Sequence, residues 1–255
     1  NIHIPPSPGD GGSAVGCAQY LYYVHRNQKR VIESNHSAVI QENVYVGPSY
    51  NDEDIKQFLD SKNIQHEKFD RQQLLEKTAK LISNGNIVGW YQGKMEWGPR
   101  ALGNRSILAD PRDGSMKDTL NEKIKHRESF RPFAPSVLEE YASDYFDIDI
   151  PSPYMLMVAK VKQPDKIPAV THVDGTGRLQ TVSAESNPLY YDLISEFYKI
   201  TEVPVIIISK KLNTTKKRFH FCDPCLRSIK YIIPMIMISS IMIRRFSDMF
   251  FKIST

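Results

Sequence analysis

The chain has 255 residues, 41% apolar and 24% charged, which is length enough for one large core or two small ones in an ordinary soluble composition. Its net charge of +4 is unevenly placed: from Ile208 onward ten Lys/Arg face two Asp/Glu, a local +8, while the first 207 residues carry 23 basic and 27 acidic groups, a net of −4. A basic tail on an acidic body removes any nucleic-acid reading that rests on pI alone, and three cysteines (Cys17, Cys222, Cys225) are too few for a disulfide framework and fit a reducing, cytoplasmic setting.

In chain order, residues 1–28 open on "NIHIPPSPGDGG", which has no Met, no charged leader and no apolar stretch. The expectation is the interior of a longer protein rather than a signal peptide. "GDGGSAVGCAQYLYYVH" then reads as a loop entering a buried helix, its small and apolar residues at helical spacing. Residues 29–44 are polar and weakly patterned, as a linker would be.

Residues 45–207 alternate helical and strand patterns, which predicts an α/β or α+β domain. "NDEDIKQFLDSKN" is a helix with an acidic start, "DRQQLLEKTAKLISNG" a second helix stopped at Asn84-Gly85, and "NIVGWYQG" a short strand. "DGSMKDTLNEKIKHRE" is a third helix, "YMLMVAKVK" and "RLQTVSAE" are strands, "PLYYDLISEFYKIT" is a helix and "VPVIII" a buried strand. Residues 208–255 differ in kind: they hold no glycine, half of the eight methionines and nine isoleucines, with no clean helical or strand period. The run Tyr231–Ile243 has 13 residues and contains Pro234, Ser239 and Ser240, short of the roughly 20 needed to cross a bilayer, so no membrane partner is expected.

The chemistry concentrates in "GKMEWGPRALGNRS" (residues 93–106), where Lys94, Arg100 and Arg105 stand among Gly93, Gly98, Gly103 and Pro99. From Lys94 to Arg131 nine Lys/Arg face six Asp/Glu, a local excess of cations inside an acidic body. Arginine forks pair bidentately with phosphate or carboxylate, and glycine turns expose backbone N–H groups to an anion. An anion pocket is therefore expected, with Arg127 and Arg131 of "KHRESFRPFAP" nearby and Arg178 after the Asp174-Gly175 turn as a further contributor. The competing reading for any one arginine is a surface ion pair, and His172 reads as a turn or core residue. No Walker loop, dinucleotide fingerprint or GxSxG elbow is present. The single CxxC at Cys222–Cys225 is weak as a zinc or redox site.

"GWYQGKMEWGPRALGNRSILADPR", "KIKHRESFRPFAPSVL" and "THVDGTGRLQTV" resemble, in family order, the O-carbamoyltransferases of nodulation-factor and antibiotic biosynthesis. The resemblance covers about 45–207. It implies a YrdC-like twisted mixed sheet with flanking helices, preceded over 1–28 by the end of an actin-like (ASKHA-type) domain. It implies formation of carbamoyl adenylate from carbamoyl phosphate and ATP, then transfer to the hydroxyl of a small-molecule acceptor. By the same resemblance, Lys94, Arg100 and Arg178 are the catalytic anion-holding residues, Arg105 and Arg131 lie in matching substrate-binding motifs, and Asp10 matches a metal-ligand aspartate. The implied cofactors are ATP with Mg²⁺ and an Fe²⁺-type ion in the actin-like domain; a homodimer is compatible with it.

Two departures stand out. The histidine partners of Asp10 should lie upstream of residue 1. After "TEVPVIII" the family continues with an Asn-Thr-Ser-Phe-Asn motif, where this chain reads "SKKLNTTKKRFHF". The reading is a frameshift near Ile207, and translation of the other two frames tests it: if neither restores the motif, the idea fails. The rival functions are a YrdC-like RNA- or nucleotide-binding module, against which the acidic body argues, and an inactive remnant.

Overall fold

The structure is a computed structural model that describes residues 4–29, 44–210 and the backbone of two short segments, 235–238 and 241–244. The linker expected at 29–44 falls almost wholly outside the described residues, as do Cys222 and Cys225.

The first helix, α1 (Asp10–Gln19), runs on into a π-helical turn over Tyr20–His25. The helix forms as expected, but it is not buried. None of its residues is, and Tyr20 and Val24 are 65% and 60% exposed. Its small residues suffice for local helix formation, yet among the described residues no layer packs on its apolar side.

Helix α2 (Asp52–Ser61) starts at a capping box: Asn51 accepts from the Asp54 N–H and Asp54 accepts from the Asn51 N–H. Strand β1 (His66–Lys68) follows. Helix α3 (Arg71–Ser83) is capped by Asp70, whose side chain accepts from the Gln73 N–H, and ends at Asn84 before Gly85 in the left-handed region. Strands β2 (Val88–Tyr91) and β3 (Arg105–Ala109) flank the glycine-rich motif. The expected third helix is split into α4 (Ser115–Thr119) and a π-helical turn, Leu120–Lys125, closed by His126 at φ 47°.

Strand β4 (Ala134–Leu138) and the short helix α5 (Ala142–Tyr145) come next. The strand expected over 154–162 shrinks to β5 (Val158–Lys160), because Met155 adopts φ 55°, which no strand accommodates. Arg178 does not open a strand. It ends β6 (Thr176–Arg178), and β7 (Gln180–Val182) begins two residues later. Helix α6 (Pro188–Thr201) and strand β8 (Val205–Lys210) match the sequence pattern, and β9 (Met235–Ile238) and β10 (Ile241–Arg244) give the tail a strand pair that its sequence did not announce.

Eight strands form one mixed sheet in the order β1-β10-β9-β2-β3-β8-β4-β7, with β5 and β6 in a second, two-stranded sheet. This is the mixed sheet with flanking helices that was expected. Strand alternation divides the core into two layers. Ile206 and Ile208 of β8, Leu108 of β3 and Val88 and Trp90 of β2 pack with Leu74, Leu75, Ile82, Leu193, Ile194 and Phe197 of α3 and α6. On the opposite face, Val205, Ile207, Ile107 and Val137 join Ile55, Leu59, Met116 and Leu120 of α2, α4 and the turn after it. Both faces of the central strands are thus covered, which is why "VPVIII" is continuously apolar. No helix among the described residues is long and apolar enough to cross a membrane.

Candidate anion site at one end of the sheet

The pairing directions decide what meets. β3 is antiparallel to β2 and to β8, β4 is antiparallel to β8, and β7 is parallel to β4. β2 and β8 therefore finish at the end of the sheet where β3, β4 and β7 begin. The motif loop 92–104, Lys210, the 126–133 loop and Arg178 all arrive at that end from positions far apart in sequence.

The loop needs its glycines. Gly98 and Gly103 sit at φ 109° and 107°, a region L-residues rarely enter. A Cβ on Gly103 would lie 2.4 Å from the Tyr190 ring. Inside the loop, buried Glu96 acts as a hub: its Oε1 accepts from the N–H groups of Leu102 (2.9 Å), Asn104 (2.8 Å) and Arg105 (3.1 Å). The loop's far side rests on a buried polar network. Gln92 Nε2 donates to Asn104 Oδ1 (3.0 Å) and Asn187 Oδ1 (2.6 Å); Asn187 Nδ2 donates to Tyr45 Oη (2.9 Å); Tyr45 Oη and Gln180 Nε2 donate to the Leu102 carbonyl (2.7 and 3.0 Å). Burial drives the Tyr45 phenol far above its ordinary pKa, so it stays a donor.

On this frame the cations divide by what satisfies them. Arg100 and Arg178 are half-buried, and the Nε of each is fully buried with no hydrogen-bond partner among the described residues. They are close enough that, after burial itself, Arg100 is the charge that lowers the Arg178 pKa. Two guanidiniums within electrostatic reach of each other, each with a buried Nε–H lacking a partner among the described residues, are chemically suited to donate to an anion. Lys94 is exposed, and its carbonyl is held by Asn104 Nδ2 at 2.7 Å. Arg105 reaches Met95 Sδ at 3.5 Å and lies near Lys210. Arg131 is exposed and pairs with Glu128, 2.8 Å between Nε and Oε2. Arg127 donates to Asn121 Oδ1 (2.7 Å) and lies over the Phe133 ring.

Four contributors escaped the sequence reading. Glu96, Gln92 and Asn187 act through hydrogen bonds, with no composition signal beyond an acid in a cationic loop. Lys125 lies at the same end, its Nζ donating to the Lys210 carbonyl. Burial, reinforced by Arg127 and Lys210, lowers its pKa to about 8. His172, expected to be a turn or core residue, lies in the turn before β6 and lines a cleft there.

Asp10 occupies the first turn of exposed α1. Among the described residues no three His, Cys, Asp or Glu side chains gather into a metal-holding group. Asp10 and its described surroundings therefore do not by themselves fit the iron-type ion, nor do the described residues gather a carboxylate cage for Mg²⁺.

Residues 79–220 match the family described as "Carbamoyltransferase C-terminus"; the match runs past Ile207, where the sequence reading places the departure. Relatives include an uncharacterized protein of Synechocystis sp., 40% identical over 81% of this chain and 37% of that protein. Nodulation protein NolO of Bradyrhizobium diazoefficiens is 49% identical over 52% of this chain and 25% of its own length, and nodulation protein NolNO of Sinorhizobium fredii is 40% identical over 81% and 30%. The chain thus spans between 25% and 37% of these relatives. A crystal structure of full-length HypF in the phosphate- and nucleotide-bound form aligns with a TM-score of 0.45 at 17% identity, over 69% of this chain and 22% of that one.

Proposed function

The chain belongs to the carbamoyltransferase C-terminus family, and on that premise we propose that its sheet-end site binds carbamoyl phosphate and ATP and forms carbamoyl adenylate. The observation that carries this reading is the Arg100–Arg178 pair, two guanidiniums within electrostatic reach of each other whose buried Nε groups lack partners among the described residues. In balance, carbamoyl phosphate, ATP and one water give carbamoyl adenylate, phosphate and pyrophosphate. The demand on the protein is for fixed positive charge where oxygens leave and gather charge, not for covalent chemistry. Arg100 and Arg178 hold the phosphate ester. Lys94, exposed on the loop rim, supplies a mobile charge to the departing pyrophosphate, and Arg105 and Arg131 extend the field. Glu96 holds the loop backbone so that these side chains start from fixed positions. Mg²⁺ would enter with ATP.

Transfer of the carbamoyl group to an acceptor hydroxyl, with loss of AMP, is the step of the whole protein. It is here assigned to a cytoplasmic enzyme whose actin-like domain ends in residues 1–28 and whose iron-type ion would be held by Asp10 with partners outside this chain.

The test is ATP–pyrophosphate exchange dependent on carbamoyl phosphate. Exchange above background, lost in Arg178→Gln, is the expected result. Salt-sensitive RNA binding without exchange would replace this reading with a binding module, and neither activity would mark a remnant.

A further inference from the structure

The motif loop is gripped from outside as well as from within. Residues 44–48 run along its first half: the Trp97 N–H donates to the Val44 carbonyl (2.7 Å), the Gly47 N–H to the Met95 carbonyl (3.0 Å) and the Met95 N–H to the Pro48 carbonyl (3.0 Å). In its second half Glu96 gathers the N–H groups of Leu102, Asn104 and Arg105. Between these pinned parts lies the span 98–101, which carries Arg100. It starts at Gly98, whose φ of 109° strains any residue with a Cβ.

Ser7 fills the place beside Gly98. A Cβ on Gly98 would meet Ser7 Cβ at 3.5 Å and Oγ at 3.7 Å, ordinary van der Waals separations. Ser7 is 1% exposed, although Ile4, Pro8, Gly9 and Asp10 around it all face solvent. It stands between Pro6 and Pro8. The two rings fix φ on either side, and helical geometry is disfavoured for the residue before a proline, so the tripeptide is a stiff strut. Its other side bears on the first turn of α1: a Cβ on Gly11 would lie 3.2 Å from Ser7 Oγ, and a Cβ on Gly12 would run into the Ser7 carbonyl. Gly16, one turn further along the same helix, has open space where its Cβ would be.

We propose that Ser7 is a positioning residue for the anion site: wedged between the first turn of α1 and Gly98, it sets the course of 98–101 and with it the placement of the Arg100 guanidinium. The proposal rests on the anion-site reading above and adds a mechanical input to it, the position of α1. No residue of α1 is buried, so the core does not fix this helix. A displacement of α1 moves the strut, and Gly12 and Gly98 have no side chains to absorb the shift. A misplacement of about 1 Å can cost a factor of about 100 in a reaction that depends on fixed geometry.

Gly12→Ala and Gly16→Ala, made in the full chain, test this: the same methyl group on the same helix, once against Ser7 and once in open space. The first readout is amide hydrogen exchange at Leu102, Asn104 and Arg105, with the amides of α3 and β8 as reporters of global opening. The expected result is exchange about tenfold faster at the three loop amides in Gly12→Ala, unchanged in α3 and β8, and unchanged throughout in Gly16→Ala. Ser7→Leu enlarges the strut itself and should speed the same three amides. Wild-type loop rates in both Gly12→Ala and Ser7→Leu, a rise shared equally by α3 and β8, or the same rise in Gly16→Ala overturns the strut. The second readout is calorimetric titration with inorganic phosphate, expected to bind about tenfold more weakly in Gly12→Ala and normally in Gly16→Ala. Equal affinity in wild type and Gly12→Ala overturns the positioning role. A wild-type chain that binds no phosphate overturns the anion site itself, while the loop rates still decide whether Ser7 holds the loop.

Discussion

Two arginine corners of this domain, twelve positions apart at their nearest members, are satisfied in opposite ways. In "ADPR", Arg112 closes on Asp110: its Nε lies 3.0 Å from both carboxylate oxygens, and its Nη2 donates to Oδ2 at 2.6 Å and to the Ser83 carbonyl at 3.0 Å. The same guanidinium lies over the Phe197 ring. At the sheet end, Arg100 lies within electrostatic reach of Arg178, and the buried Nε of each has no hydrogen-bond partner among the described residues. The first corner ties α3 and β3 together. The second leaves two buried donors without a partner among the described residues, which is why the anion site is proposed there. Residue type does not separate a scaffolding arginine from a ligand-holding one; the partner inventory does.

The strongest test of this contrast is Arg100→Gln or Arg178→Gln. Each should lower carbamoyl-phosphate-dependent exchange about 100-fold while the thermal midpoint holds or rises, since a buried like-charge neighbour is removed. A large drop in midpoint would break the comparison. Arg112→Gln should do the reverse, losing about 2 kcal/mol in urea denaturation because Asp110 (side chain 6% exposed) is left buried without its counter-charge, the figure being held down by Arg112's own 37% exposure. Exchange per folded molecule should be kept. Glu96→Gln stands between the two: it retains an acceptor oxygen but loses the charge that gathers three N–H groups, so about 1 kcal/mol of stability and roughly tenfold in exchange should go together.

The smallest effect is a slope. Folded Lys125 titrates at about 8 against an ordinary 10.5, so between those values the unfolded chain binds more protons and stability rises with pH. Lys125→Met should flatten that rise in chemical denaturation series, with Arg127 and Lys210 as the charged neighbours that shape it. An unchanged slope would remove Lys125 from the cationic end.

Helices α2, α3 and α6 were legible because their signals are local, such as the acidic first turn of α2 and the Asn84-Gly85 stop of α3; the capping box on α2 and the Asp70 cap on α3 add to those signals in the structure. β3 hid inside the cationic motif, and β4 carries Pro135, which reads against a strand although it lies between two paired neighbours. Lys94, Arg100, Arg105, Arg131 and Arg178 stood out by residue type and spacing, whereas Lys125 did not. Glu96, Gln92 and Asn187 were not, since Gln92 and Asn187 meet across 95 positions and only folding brings them together. The burial expected of α1 failed because periodicity shows which side of a helix is apolar but not whether a neighbour exists to cover it.

Asn187 stands where α6 would take a capping side chain, yet it makes no cap hydrogen bond; both ends of its amide are spent on Gln92, Asn104 and Tyr45. Pro188, which has no N–H to satisfy, makes that reassignment tolerable. The helix and the motif loop are therefore geared: a shift of α6 along its axis moves Asn104, and with it the backbone on which Arg100 and Arg105 are mounted. Substitutions along the α3–α6 seam, remote from any charge, should then be felt at the sheet end as changes in the placement of its guanidiniums.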